Sequence, residues 1–268
     1  MANILLLTDF SAGANNAAAY ALELARQLRF DLILLHVKDT DKGGSSADTL
    51  QQFEALKSSI SETDGEKDDH RPVLVDIVVK GRLREGIASV LKEKDVDLIV
   101  IGATDGENKT GMLFGKRVRE IIDSVHYPIL LVPPAARFKE IRDVFYVTDI
   151  RYANLHAVAR LVHIVQLLKA TLSVLHIGAA GLPELSAQHS QSLFNDFITA
   201  VPGQRPRFLI PNQNHKPETL IRELFVNHEQ DVLAVAHREH HFFGHIFMDH
   251  ATEDAVIYKE IPMLVVPA

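Results

Sequence analysis

The sequence lacks cysteine entirely, which excludes disulfides, thiolate metal sites and a cysteine nucleophile. It also lacks any block of Lys and Arg, and its formal net charge is −7. Phosphate binding by a surface needs a local excess of cations, so nucleic acid and anionic membranes are not expected partners. There is no signal-like N-terminus and no run of about 18 apolar residues. We therefore expect a cytoplasmic protein.

The length of 268 residues and the hydrophobic content of 47% suit two ordinary globular domains. In the first half, short continuous apolar runs alternate with segments of helical spacing, which predicts a parallel sheet covered on both faces. The predicted strands are Ile4–Thr8, Leu32–Val37, Val73–Val79, Leu98–Ile101 and Ile129–Val132, and the predicted helices are Ala12–Leu28, Ala47–Ile60, Gly81–Lys94 and Lys116–Ser124.

The second half repeats the first. Thr8-Asp9 recurs as Thr148-Asp149, and Leu35–Val37 recurs as Leu175–Ile177, at one and the same offset along the chain. Two matches at one offset predict a duplicated domain, with domains at 1–134 and 139–268 on either side of a short Pro/Ala linker. The predicted strands of the second half are Val144–Thr148, Thr171–Ile177, Arg207–Ile210, Val232–Ala236 and Met263–Val266, and its predicted helices are Ala153–Leu168, Pro183–Ala200, Pro217–Asn227 and Ala251–Lys259.

Four motifs of the first half stand out together. They are Ile-Leu-Leu-Leu-Thr-Asp-Phe-Ser at 4–11, Leu-Leu-His-Val at 34–37, Asp-Leu-Ile-Val-Ile-Gly at 97–102 and Tyr-Pro-Ile-Leu-Leu-Val-Pro at 127–133. With them the chain resembles a tandem universal stress protein of the UspA-like family, over essentially its whole length. The resemblance implies two similar doubly wound α/β domains, each a five-stranded parallel sheet of order 3-2-1-4-5 with helices on both faces, as in the adenine nucleotide alpha hydrolases.

The resemblance also implies a phosphate loop after the fourth strand. ATP-binding members look like Gly-x2-Gly-x9-Gly-Ser/Thr, and Gly102 and Gly115 fit the first and third glycines. Asp105 replaces the second glycine, with Gly106 one residue away, and Lys116 replaces the hydroxyl residue. A carboxylate repels phosphate, whereas the ammonium group of Lys116 would compensate for it. The expected site is therefore an altered one.

At the end of the first strand, the resemblance places the adenosine against Thr8 and Asp9 and the adenine against Val37. The expected ligand is ATP or AMP, with Mg²⁺ if it is ATP. Another interpretation is that Asp9 only caps the following helix, where a carboxylate is favoured with or without a ligand. His36 is expected to be a hydrogen-bonded histidine at a strand end. No nucleophile with a paired base is evident, so we expect at most slow hydrolysis.

The second copy departs further from the family pattern. His237 stands where Gly102 stands in the first copy, so this half is not expected to bind ATP in the family manner. Five histidines lie between 237 and 250. His237, His241 and His245 have the i, i+4 spacing of metal ligands, whereas the interleaved phenylalanines favour packing.

Our main hypothesis is a universal stress protein whose first domain binds an adenine nucleotide weakly. A non-nucleotide-binding scaffold with two degenerate sites is the alternative, favoured by Lys116. An adenylate-transferring enzyme is weaker, because no signature for a second substrate is present. The final strands Ile129–Val132 and Met263–Val266 are expected to pair with each other as an intramolecular pseudo-dimer, because apolar sheet edges need cover. Whether two chains form a homodimer stays open.

Overall fold

The computed structural model describes residues 2–38, 46–61, 70–103, 116–178, 182–199, 205–210, 232–237 and 261–267. These residues fall into two compact units, the first ending at Phe138 and the second beginning at Lys139. Within the described ranges, no helix has both the length and the apolar character needed to cross a bilayer.

The first unit is an α/β fold built on a parallel sheet, as the sequence predicts. Its strands are ordered β3-β2-β1-β4-β5, and each neighbouring pair runs parallel. The elements are β1 Asn3–Leu7, α1 Ala12–Leu28, β2 Asp31–Lys38, α2 Ser46–Ser61, β3 Leu74–Lys80, α3 Leu83–Glu93, β4 Val96–Gly102, α4 Lys116–Ser124 and β5 Ile129–Val132.

The central strands owe their place to continuous apolar runs. Ile4, Leu5 and Leu6 of β1 are wholly buried, which requires cover on both faces of the sheet. The outer strand β3 carries a more polar sequence and leaves Val78 exposed. Burial therefore falls from the middle of the sheet to its β3 edge.

Helix α1 covers the middle of this sheet through a stripe of alanines. The hydroxyl of Ser11 accepts a hydrogen bond from the Ala14 N–H (3.3 Å) and so caps the start of the helix. Small side chains such as Ala17, Ala18 and Ala21 are buried on the face that contacts β1 and β4. The helix backbone can therefore lie close to the strands.

The second unit has the same strand arrangement in its described part. Its strands are ordered β8-β7-β6-β9-β10, and the paired strands again run parallel. The elements are β6 Asp143–Thr148, a 3₁₀ turn Ile150–Tyr152, α5 Leu155–Leu168, β7 Thr171–His176, α6 Ala187–Ile198, β8 Arg207–Leu209, β9 Val232–His237 and β10 Met263–Pro267.

Three helices begin later than the sequence predicts, each for a local reason. Gly81 has φ +132°, which no α-helix accommodates, so α3 begins at Leu83. The amide oxygen of Asn154 accepts from the N–H groups of His156 (2.8 Å) and Ala157 (3.1 Å) and starts α5. Ser186 caps α6 in the same manner. The predicted helices at 217–227 and 251–259 lie outside the described residues.

Candidate functional site

A cavity of about 470 Å³ opens at the carboxyl edge of the first sheet. It lies beside β1 and β4, between which the strand order reverses, and ligands of open α/β sheets bind at such a point. Its volume falls in the range of about 300 to 1,000 Å³ that small-molecule sites occupy. The wall consists of Leu7, Thr8, Asp9, Ser11, Ala14, Leu35, His36, Val37, Gly81, Arg82, Leu83, Arg84, Ile101, Gly102, Val118, Glu120 and Ile121.

The strand register brings residues of three neighbouring strands to one level beside the cavity. Leu7 of β1 lies opposite Leu35 of β2 and Ile101 of β4. The next residue along the chain from each of these lines the cavity. These residues are Thr8, His36 and Gly102.

A strained turn follows β1. Phe10 has φ 61°, a left-handed conformation that is rare for a bulky residue. The Phe10 N–H donates to the hydroxyl of Thr8 (3.0 Å), and its ring packs against His36 (4.8 Å between centroids) and edge-on against Phe53 (5.0 Å). These contacts offset the backbone strain. The turn places Asp9, the residue between Thr8 and Phe10, on the cavity wall.

His36 is held in place by the same turn. Its Nδ1 lies 2.9 Å from the carbonyl oxygen of Thr8. Because a carbonyl oxygen only accepts hydrogen bonds, Nδ1 carries the hydrogen of this bond. The predicted hydrogen-bonded histidine at a strand end is confirmed.

Asp9 is exposed, and one of its oxygens accepts a hydrogen bond from the Ser11 N–H (3.0 Å). The cap of α1 is Ser11, so the interpretation of Asp9 as the helix cap is wrong. A cap must accept from an N–H inside the helix, and Asp9 lies too far upstream to do so. Asp9 makes no ion pair with another described residue, and its remaining acceptor positions are available to a ligand.

Gly102 has a structural reason to be glycine. A β-carbon at this position would lie 2.7 Å from the carbonyl oxygen of Gly13 and 3.1 Å from the nitrogen of Ala14. The end of β4 therefore touches the first turn of α1 so closely that no side chain fits. This contact accounts for the glycine whether or not phosphate approaches it.

In the second unit, the equivalent carboxylate is occupied by the protein itself. The Arg151 Nε donates to both oxygens of Asp149 (2.9 and 3.1 Å), and the Arg151 N–H donates to Oδ1 (3.1 Å). A further hydrogen bond joins Nη2 to Oδ2, and Nη1 donates to the carbonyl of Pro183 (2.9 Å). The Asp149 side chain is only 2% exposed. We call this arrangement the Arg151 clasp.

The histidine beside the clasp is buried as well. The Ile150 N–H donates to Nδ1 of His176 (3.3 Å), and Thr148 is fully buried next to it. Burial lowers the pKa of His176, although the charge of Asp149 opposes this change. His176 therefore differs from the half-buried His36, which lines an open cavity.

The sequence model of the universal stress protein family matches residues 1–133. The first half of this chain belongs to that family. The described residues of this match fall within the unit that holds the cavity. No curated protein sequence matches the chain.

Solved structures share the fold over the whole chain. A universal stress protein from Archaeoglobus fulgidus is 14% identical, covers 99% of this chain and 98% of its own, and has a TM-score of 0.63. A protein of unknown function from Pseudomonas aeruginosa PAO1 is also 14% identical, with coverages of 99% and 92% and a TM-score of 0.58. These similarities extend the fold of the universal stress protein domain to the second half of the chain.

Four of the residues predicted for the nucleotide site line the cavity of the universal stress protein domain. Of the other four, Asp105, Gly106 and Gly115 are outside the described residues, and Lys116 begins α4 with a side chain that is not described. The four are Thr8, Asp9, Val37 and Gly102.

The three histidines of the metal interpretation are only partly within the described residues. His237 ends β9, whereas His241 and His245 lie outside the described residues. The described ranges contain no group of three or more metal-ligating side chains.

Sequence reasoning missed three charged residues of the cavity wall, Arg82, Arg84 and Glu120. Arg82 and Arg84 follow Gly81, whose left-handed backbone ends β3. A glycine between a strand and a helix, followed by two closely spaced arginines, was the available signal.

Proposed function

We propose that this universal stress protein domain binds an adenine nucleotide, ATP or AMP, in the cavity at the carboxyl edge of its sheet. On this proposal the chain acts in the stress response through its ligand-bound state or through a partner that recognises it. The observation that carries the proposal is the cavity itself, at the strand-order reversal, with Asp9 and Val37 in its wall.

The residues present fit an adenosine. The apolar part of the wall, which includes Val37, Leu35 and Ile101, suits a purine ring. The carboxylate of Asp9 has acceptor positions for ribose hydroxyls. The sequence offers Lys116 and the glycines of the loop after β4 for the phosphates.

Small molecules released from protein purified without added nucleotide test this function. Mass spectrometry should find ATP, ADP or AMP in amounts comparable to the protein, and millimolar ATP or AMP should raise the melting temperature of stripped protein. Asp9→Asn should reduce that increase, whereas Asp196→Asn, an exposed change on α6, should leave it unchanged. Empty protein that shows no thermal shift would refute the proposal.

A scaffold without nucleotide is the second candidate. The observation that favours it is the Arg151 clasp, which shows that one carboxylate at a strand end of this chain is satisfied internally. A scaffold predicts no released nucleotide and no thermal shift, so the same experiment separates the two functions.

A further inference from the structure

The charged side chains of the cavity wall are divided between two sides. The acidic residues Asp9 and Glu120 come from the end of β1 and from α4. The basic residues Arg82 and Arg84 come from the β3–α3 connection and the first turn of α3. Among the described residues of the cavity wall, the positive charges therefore lie on the α3 side, where they attract an anionic group.

Both arginines have side chains available for a ligand. Arg82 stands at the cap position of α3, but its side chain makes no capping hydrogen bond. Arg82 and Arg84 are exposed, and neither guanidinium forms an ion pair or hydrogen bond with another described residue. Guanidinium groups bind phosphate through paired, charge-assisted hydrogen bonds.

The backbone that carries the arginines is fixed against the cavity wall. The Gly81 N–H donates to the carbonyl of Lys38 at the end of β2 (2.9 Å). A β-carbon on Gly86 would lie 2.8 Å from Cγ2 of Val37, so α3 packs directly on the residue that lines the cavity. The position of Arg82 and Arg84 relative to Val37 is therefore set by close packing.

We propose that Arg82 and Arg84 bind a phosphate group of the nucleotide from the α3 side of the cavity. The inference rests on the proposed function and adds to it a preference for a phosphorylated ligand over the free nucleoside. It also assigns that preference to Arg82 and Arg84, which lie outside the glycine-containing loop that follows β4.

The test compares AMP with adenosine by calorimetry on the full chain. The variant Arg82→Gln/Arg84→Gln should bind AMP at least about tenfold more weakly than the wild type, since one charged hydrogen bond contributes about that factor. Its affinity for adenosine should stay unchanged, because the nucleoside has no phosphate. Both arginines are exposed, so the variant should melt at the wild-type temperature.

The matched control is Arg71→Gln/Arg160→Gln, which also removes two arginine charges, but from exposed positions that do not line the cavity. It should bind AMP as the wild type does. Equal AMP affinity in the wild type and the cavity variant, or equal weakening in both double variants, would overturn the inference and leave the proposed function standing. A wild-type protein that binds neither AMP nor adenosine would refute both.

Discussion

At the scale of single residues, the two carboxylates that follow β1 and β6 have opposite surroundings. Asp9 is exposed and accepts from a backbone N–H, whereas Asp149 is buried and held by the Arg151 clasp. At the offset of the repeat, Arg151 stands where Ser11 stands in the first half. The residue two positions after the carboxylate therefore has a different role in each copy: Ser11 caps α1, and Arg151 pairs with Asp149.

Removing only one partner of the Arg151 clasp should cause a large loss of stability. Arg151→Ala leaves Asp149 buried and unpaired, which costs about 3 kcal/mol or more in the free energy of unfolding. Arg151→Ala combined with Asp149→Asn should lose clearly less, because no charge is then left without a partner. Urea denaturation measures both, with exposed Arg160→Ala on α5 as the control, expected within about 0.5 kcal/mol of the wild type.

A single variant no more destabilised than the double variant would contradict this account. The guanidinium would then contribute packing, and the hydrogen bonds to Asp149 would add nothing measurable.

Burial of His176 predicts a dependence of stability on pH. Because burial lowers the pKa of His176, the unfolded chain binds this proton more readily than the folded protein. The contribution of His176 to the free energy of unfolding is complete above about pH 6.5, the ordinary pKa of histidine. It is lost as the pH falls through about 6.5 towards the lowered pKa of His176 in the folded protein. His176→Asn should therefore lose less stability than the wild type on acidification.

Denaturation at several pH values between about 7.5 and 5.5 checks this, because the ordinary histidine pKa lies in that window. The control is His163→Asn, since this histidine is exposed on α5, and it should keep the wild-type dependence. Parallel pH curves for the wild type and His176→Asn would show that another group is responsible.

At the scale of elements, the contact between α1 and β4 sets the edge of the cavity. Gly102→Ala would place a β-carbon 2.7 Å from the Gly13 carbonyl oxygen, and backbone on both sides must move to relieve it. We expect a loss of about 1–3 kcal/mol, the usual cost of overpacking. Gly178→Ala is the matched control, because its β-carbon would meet only Arg151 Nη2 at 3.9 Å. Thermal denaturation of both variants gives the comparison, and equal stability would contradict the close contact.

The elements themselves were largely predictable from the sequence, since burial on both faces selects continuous apolar runs. Helix α1 and strand β5 have the predicted bounds. The Arg151 clasp and the arginines of the cavity were not predicted. They depend on which loop residues fold over the edge of the sheet, and hydrophobic periodicity contains no information on that.

Within the site, Thr8 and Asp9 were predicted from the family resemblance, and both line the cavity. The alternative interpretation of Asp9 as the cap of α1 was wrong, because several nearby polar residues can start a helix and only the local backbone decides which one does.

At the scale of the whole molecule, we expect the two units to differ in their binding of the proposed nucleotide. The first has a cavity with an available carboxylate, and the second has that carboxylate engaged. Calorimetric titration of the full chain should therefore give one nucleotide per chain. On the proposed function, Asp9→Ala should weaken this binding by about tenfold or more, because it removes the acceptor proposed for the ribose. A stoichiometry of two would contradict the assignment to the first unit.

The predicted pairing of Ile129–Val132 with Met263–Val266 stays a prediction. The chain has no cysteine, so cysteine pairs introduced into these two strands can be crosslinked without a background from native thiols.

The Arg151 clasp has a consequence for the way each half depends on the cell. The Asp149 carboxylate has its counter-ion within the chain, so its pairing needs no ligand. On the proposed function, the first half gains stability from the nucleotide it holds, in proportion to the logarithm of the supply. The resistance of the first half to proteolysis would then follow the nucleotide pool, whereas the Arg151 clasp would stay intact whatever the supply.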